Sequence, residues 1–332
     1  MMDFSDFKRE FVSCCRSSLS ALVDPSADSD FSIEERVVTK AQKGELSALI
    51  FRSPGFFCAP TVYVEDFFKL YRDGHSVKEL SVTAVNSVYP YIRCAPSFPD
   101  DAFDNAGYLR VRLLNRAVNR AFLKTVPFID TGCGLTLIAE FRSGEYRASV
   151  TDELLEALGM DRDELFETAL SNSALNDPPV LFELSELLTS GRDMCENLLE
   201  KEPGPDQLSP SSLYMLSNDK CFWGAAALFY PEVMQRLSRL MGGAFYVLPS
   251  SVHEVLVMPV TEGDPQMLAD TIRSANRSVV EEDEFLSDDL YICDNGMLKR
   301  VSYGGIVCST AVRSLRHSRP ARYSQAGMHQ YS

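Results

Sequence analysis

The sequence predicts an α+β fold in which mostly antiparallel hairpins alternate with helices, built as one elongated domain or as two lobes. Three observations carry that expectation. Hairpin-length turns at Gly44, Ser143 and Ser250 separate β-rich runs, whereas parallel neighbours need crossovers of about a dozen residues or more. Between those runs, apolar residues recur three and four apart, the spacing of a single helical face. The segment EKEPGPDQLSPSS at 200–212 interrupts both patterns with three prolines and a glycine, which marks a loop or linker. The expected organisation is an N-terminal helix at 1–24, a first α+β lobe at 25–199, the linker, a second lobe at 213–306 and a flexible basic tail at 311–332.

Each element has a local reason. Phe4, Phe7, Phe11, Cys15 and Leu19 share one helical face over residues 3–23, and DPSADSD ends it. VVTKA and LSALIF flank Gly44 as a hairpin. Tyr63, Phe67, Leu70 and Tyr71 line one face of a helix that Gly74 stops, and Ser76 caps the next. YLRVRLL reads as a strand, NRAVNRAFLK as a short helix with Leu114, Val118, Ala121 and Phe122 inward, and Thr131 to Gly134 as a turn. GLTLIAEF and YRASV then form a second hairpin. Thr151 caps DELLEALG, and Asp161 with Glu164 makes a capping box for DELFETAL. After the linker come a strand at LYML, a helix from Pro231, and the hairpin-like pair AFYVLPSSVHEVLVMP. Asp264 and Pro265 start a helix with Met267, Leu268, Ile272 and Ala275 inward, followed by strands near LYIC and KRVSY.

Composition narrows the function classes. The 332 residues are 45% hydrophobic and 24% charged, ordinary values for a folded chain. A net charge of -15 argues against broad binding to nucleic acid or anionic membrane. No uncharged stretch approaches the roughly 20 apolar residues of a membrane span, and no basic-then-apolar leader opens the chain. Nine scattered cysteines are odd in number, as expected of reduced thiols in the cytoplasm. From Arg313 the chain has four arginines, two histidines and no acid, which predicts a flexible tail.

Candidate chemistry falls in two places. Ser251, His253 and Glu254, with Ser250 beside them, supply a hydroxyl, an imidazole and a carboxylate, the parts of a nucleophilic relay. On a strand, however, His253 and Glu254 face opposite ways, and serines before a strand commonly bond their own backbone. Arg110 and Arg112 alternate on one strand face, and Arg116, Arg120 and Lys124 follow at helical spacing. That run of five cations without an acid is the clearest charge pattern and a candidate site for an anionic ligand or protein partner; the competing reading pairs it with the acid-rich 151–202 segment. Neither paired cysteines nor paired helical histidines supply a zinc signature, so no metal is expected, and no cofactor motif precedes a helix N-terminus. Trp223 is expected in the core.

Several stretches together resemble an uncharacterised domain-of-unknown-function family of gut clostridia and related bacteria. They are PTVYVEDFFKLYRDG at 60–74, the spaced Asn115, Asn119, Leu123 and Pro127, VTDELLEALGMDRDELFETALSN at 150–172, WGAAALFYPEVMQRLSRLMGGAFYVLPSSVHEVLVMP at 223–259 and LSDDLY at 286–291. The likeness spans about residues 30–295 and implies no activity, because that family has no assigned catalytic residues. The expectation is therefore a cytosolic binding or accessory protein without catalysis of its own. The alternative is a hydrolase with a pocket around His253, Glu254 and Ser251.

Overall fold

The computed structural model describes residues 1–23, 31–52, 59–93, 106–143, 146–200, 208–209, 211–260, 265–302 and 305–309. The expected linker lies mostly, and the expected basic tail at 311–332 wholly, outside the described residues. The fold is α+β, with three antiparallel sheets among the described residues.

Helix α1 (Phe4–Leu22) buries Phe7, Phe11, Cys15 and Leu19 as its spacing requires, and Asp3 caps it by accepting from the Asp6 N–H. Strands β1 (Ser32–Lys40) and β2 (Gly44–Arg52) pair around the expected turn, and β3 (Thr61–Tyr63) adds to β2. Helices α2 (Val64–Arg72) and α3 (Val77–Arg93) follow. Ser76 and Glu79 cap α3 reciprocally, each side chain bonding the other residue's backbone N–H. Leu49 and Phe51 of β2 join the buried faces of α1 and α3 in one apolar cluster.

Strand β4 (Leu109–Asn115) pairs with β6 (Leu135–Ser143), while β5 (Phe128–Asp130) and β7 (Tyr146–Ser149) divide the other edge of β6. Between β4 and β5 the expected helix is absent. Residues 116–121 form turns, and a short 3-10 turn covers Phe122–Lys124. Asn115 caps the segment as at a helix start, its Oδ1 accepting from the Val118 N–H, but of the amides that follow only those of Asn119 and Leu123 bond four residues back, so the turns do not propagate into a helix. Val118 is consequently exposed rather than inward.

Helix α4 (Asp152–Ala157) starts at Thr151, and α5 (Arg162–Asn176) starts at the expected capping box of Asp161 and Glu164. Ser173 of α5 accepts the Val111 N–H at 2.9 Å, which occupies the open edge of β4. The remaining elements are β8 (Pro179–Glu183), α6 (Leu184–Ser190), β9 (Tyr214–Asn218), α7 (Val233–Leu240), β10 (Phe245–Pro249), β11 (Val255–Pro259), α8 (Pro265–Val279), β12 (Tyr291–Asp294), β13 (Met297–Ser302) and β14 (Gly305–Ser309).

These strands form a seven-stranded sheet ordered β14-β13-β12-β10-β11-β9-β8. Strands from either side of 200–212 pair directly, β8 with β9, and one apolar cluster runs from Leu109 to Leu298. Helix α8 is rotated from its expected phase: Met267 and Ala275 face out, while Ala269, Ile272 and Asn276 are buried. Asn276 goes inward because its Nδ2 donates to the Ser287 carbonyl and its Oδ1 accepts from Ser250.

Candidate functional site

The register of β4, β6 and β7 builds a charged face. Arg110 stands opposite Glu140, Arg112 opposite Ile138, and Arg142 opposite Arg147. Side chains two apart share a face, so four arginines and one glutamate project to one side, while Leu109, Val111, Leu113 and Phe141 fill the core on the other.

Arg147 stands exposed at one end of this face, while the rest of it is covered, which makes those charges costly. Arg112 leaves 11% of its side chain exposed and Glu140 6%, at a separation of 3.5 Å. Burial pushes the Glu140 carboxyl up, against the pull of Arg112, Arg147 and Arg142. At the other end Asp177 is 2% exposed and is shared by Arg110, Arg142 and Lys220. The buried Nε of Arg112 has no hydrogen-bond acceptor among the described residues, and that of Arg110, 3.3 Å from Asp177 Oδ2, makes an ion pair without hydrogen-bond geometry.

The cover is an aromatic turn after β9. The Arg112 guanidinium lies 4.0 Å from the centre of the Trp223 ring, and that of Arg147 lies 3.9 Å from Phe222 and 4.7 Å from Trp223. Such stacking favours arginine over lysine. Cys221 and Trp223 both hold left-handed backbone, at φ of 47° and 51°, a conformation that costs about 1–3 kcal/mol each for residues other than glycine. Gly224 completes the turn where a Cβ would lie 2.1 Å from Ser217 Oγ and 2.5 Å from the Asn218 nitrogen. Trp223 is thus half-buried against the core, with guanidiniums over its ring, rather than enclosed within it.

His253 braces that turn from beneath. Its Nδ1 accepts from the Trp223 N–H at 3.2 Å, its Nε2 lies 3.3 Å from Glu284 Oε1, and its ring packs 5.3 Å from Phe222. His253 and Glu254 sit in the connection before β11, not on the strand. Ser251 Oγ donates to Glu254 Oε1 at 2.8 Å and accepts the His253 N–H at 3.0 Å, the local serine bonding of a turn. Cys221, Ser250, Ser251, His253, Glu254 and Glu284 line a recess of about 350 Å³.

Residues 6–295 match the description of a family of unknown function, DUF5688. The chain belongs to DUF5688. No curated protein and no solved structure matches it. The DUF5688 region begins within α1, so it includes both the N-terminal apolar cluster and the arginine face.

In this DUF5688 chain the five cations of the sequence pattern separate. Arg110 and Arg112 join the buried face, whereas Arg116, Arg120 and Lys124 are exposed on the following turns, with Arg116 2.6 Å from Asp130. Ser251, His253 and Glu254 do share a recess. The hydroxyl nonetheless donates to Glu254, while the imidazole Nε2 faces a different carboxylate, Glu284, at 3.3 Å. Arg142, Arg147, Lys220 and Asp177 were not singled out by the pattern, since they reach Arg110 and Arg112 through pairing across dozens of residues. The alternation of Arg142 with Glu140 in β6 was the available signal.

Further cations approach from β1. Lys40 Nζ lies 4.2 Å over the Tyr63 ring. Burial, then Lys43 and also Arg112, push its ammonium below the ordinary lysine range, while Asp66 and Asp283 oppose the shift.

Proposed function

We propose that this DUF5688 protein acts by binding, without catalysis of its own, and that an anionic ligand or partner seats on the face carrying Arg112 and Arg147. The observation supporting this reading is the guanidinium of Arg147: it is stacked on Phe222 and Trp223 and has no carboxylate partner among the described residues. In a chain of net charge -15, an exposed guanidinium held flat on two rings beside the buried Arg112 keeps its outer donors open to an anion.

Because Trp223 is the single tryptophan, its emission reports on the site. Titration with phosphate, sulfate, succinate and polyglutamate at constant ionic strength should give a saturable change for at least one of them, abolished by Arg147→Glu. A flat response to every anion removes the reading.

The alternative, a hydrolase, draws support from the shared recess of Ser251, His253 and Glu254. It requires the imidazole to leave Trp223 or Glu284 and reach Ser251 Oγ. Covalent labelling by a hydrolase probe, lost in Ser251→Ala, is the result that would favour it.

A further inference from the structure

We infer that the turn carrying Trp223 is a pH-sensitive latch: the neutral imidazole of His253 holds the Trp223 ring over Arg112, and a second proton on that imidazole releases it. The latch needs no ligand and stands apart from the anion-binding reading above.

Donor and acceptor chemistry sets the two states. The Trp223 N–H donates to His253 Nδ1 at 3.2 Å, a bond that uses the lone pair of that nitrogen. Protonation places a hydrogen on Nδ1, so two donors then face each other and the bond is lost. On the other side Nε2 lies 3.3 Å from Glu284 Oε1, a contact that strengthens when the ring is a cation. Each charge state of the ring therefore has its own favoured partner. The other titratable groups around it do not replace the lost acceptor. Glu254 accepts from Ser251 Oγ, and Cys221 shares the recess, to which the end of α8 adds only Val279 and Val280. Asp283, beside Glu284, is paired with Lys43, and Arg147 lies over the Phe222 ring that packs against the imidazole. Release is local to Trp223. The Lys220 and Phe222 N–H groups donate to Asn218 Oδ1, the Cys221 N–H to the Asn218 carbonyl and the Ala225 N–H to the Val252 carbonyl, and none of those acceptors titrates. Trp223 holds a left-handed backbone at φ 51°, which relaxes once its bond is gone.

The test follows Trp223, the single tryptophan, by emission maximum and by acrylamide quenching of the full chain between about pH 8 and about pH 5.5, the range in which imidazoles change charge. As pH falls, the maximum should move to the red and quenching should rise in one transition. His253→Asn, whose amide oxygen accepts at every pH, should abolish the transition and keep the high-pH values, whereas His253→Ala should give the low-pH values throughout. Glu284→Gln should move the midpoint down by about half a pH unit, the effect of one partly exposed pair. His75→Gln, exposed between α2 and α3, should leave it in place. The absence of a transition in the wild type, or its persistence in His253→Asn, overturns the inference. A loss of intensity without a red shift or added quenching does so too, since a nearby cation can quench the ring without moving it. Should His253→Asn not fold, as judged by circular dichroism, the Glu284→Gln midpoint decides: a shift upholds the latch and an unmoved midpoint overturns it.

Discussion

The imidazole of His253 and the backbone of Trp223 are joined by one hydrogen bond, from the Trp223 N–H to Nδ1 at 3.2 Å. An amide N–H only donates, so Nδ1 carries no proton there, and the neutral ring's proton lies on Nε2, facing Glu284. This bond connects the recess to the arginine face, because Trp223 is also the ring over which Arg112 lies.

Removing the acceptor should loosen a turn already strained at Cys221 and Trp223. His253→Ala is expected to cost about 1–3 kcal/mol, the penalty for an unsatisfied amide, and to shift Trp223 emission toward that of exposed tryptophan. His253→Asn places an amide oxygen near the former Nδ1 position and should recover most of the loss. Urea unfolding followed by Trp223 emission separates the two variants; equal loss in both would show that ring packing on Phe222, not the bond, matters.

Gly224→Ala tests the close approach directly. The new Cβ meets two backbone atoms, the Asn218 nitrogen at 2.5 Å and the His253 oxygen at 2.7 Å, and neither can rotate away as a side chain would. Overpacking of this kind costs about 1–3 kcal/mol or more. A thermal melt unchanged from wild type would mean that the turn yields.

Much of the fold is legible in the sequence because its signals are local. The alternation around Gly44, the capping box at Asp161 and the spacing of Phe7, Phe11 and Cys15 each act within one element. The misses share a cause. Asn115, Asn119 and Asn276 use their amides on backbone groups, within a string of turns where a helix was expected in one case and drawing a polar residue inward on α8 in the other. Periodicity of apolar residues carries no trace of that. Half the arginine face was visible as alternation in β4, and the other half depended on long-range strand register.

Asp177→Asn should be the most damaging single change at the charged face. It leaves Arg110 and Arg142, each with 11% of its side chain exposed, without the carboxylate that they share with Lys220. Breaking one partner of a buried pair costs about 3–5 kcal/mol. Chemical denaturation measures it, and a loss below about 1 kcal/mol would place the pair among exposed, screened contacts.

Stability should fall on the alkaline side. Burial pushes the thiols of Cys15 and Cys293 from 9.0 up to about 12. Between those values the unfolded chain releases protons that the folded chain keeps, so unfolding gains and stability decreases as pH rises from about 9 toward 12. Cys15→Ala and Cys293→Ala should each flatten that decline in denaturation curves taken across the window. At neutral pH, iodoacetamide should modify the partly exposed Cys14 before the buried Cys15.

Reversing Arg116, Arg120 and Lys124 to Glu separates the exposed turn from the covered face. All three are exposed, and Arg116 makes an exposed pair with Asp130 at 2.6 Å. Such pairs contribute about 0–1 kcal/mol, so the triple variant should unfold within about 1 kcal/mol of wild type. If the anion seats on Arg112 and Arg147, the Trp223 response to it should also keep its saturable form, weakened only through a long-range field that added salt screens. A triple variant whose anion response disappears at every ionic strength would move the site from the sheet face to this turn.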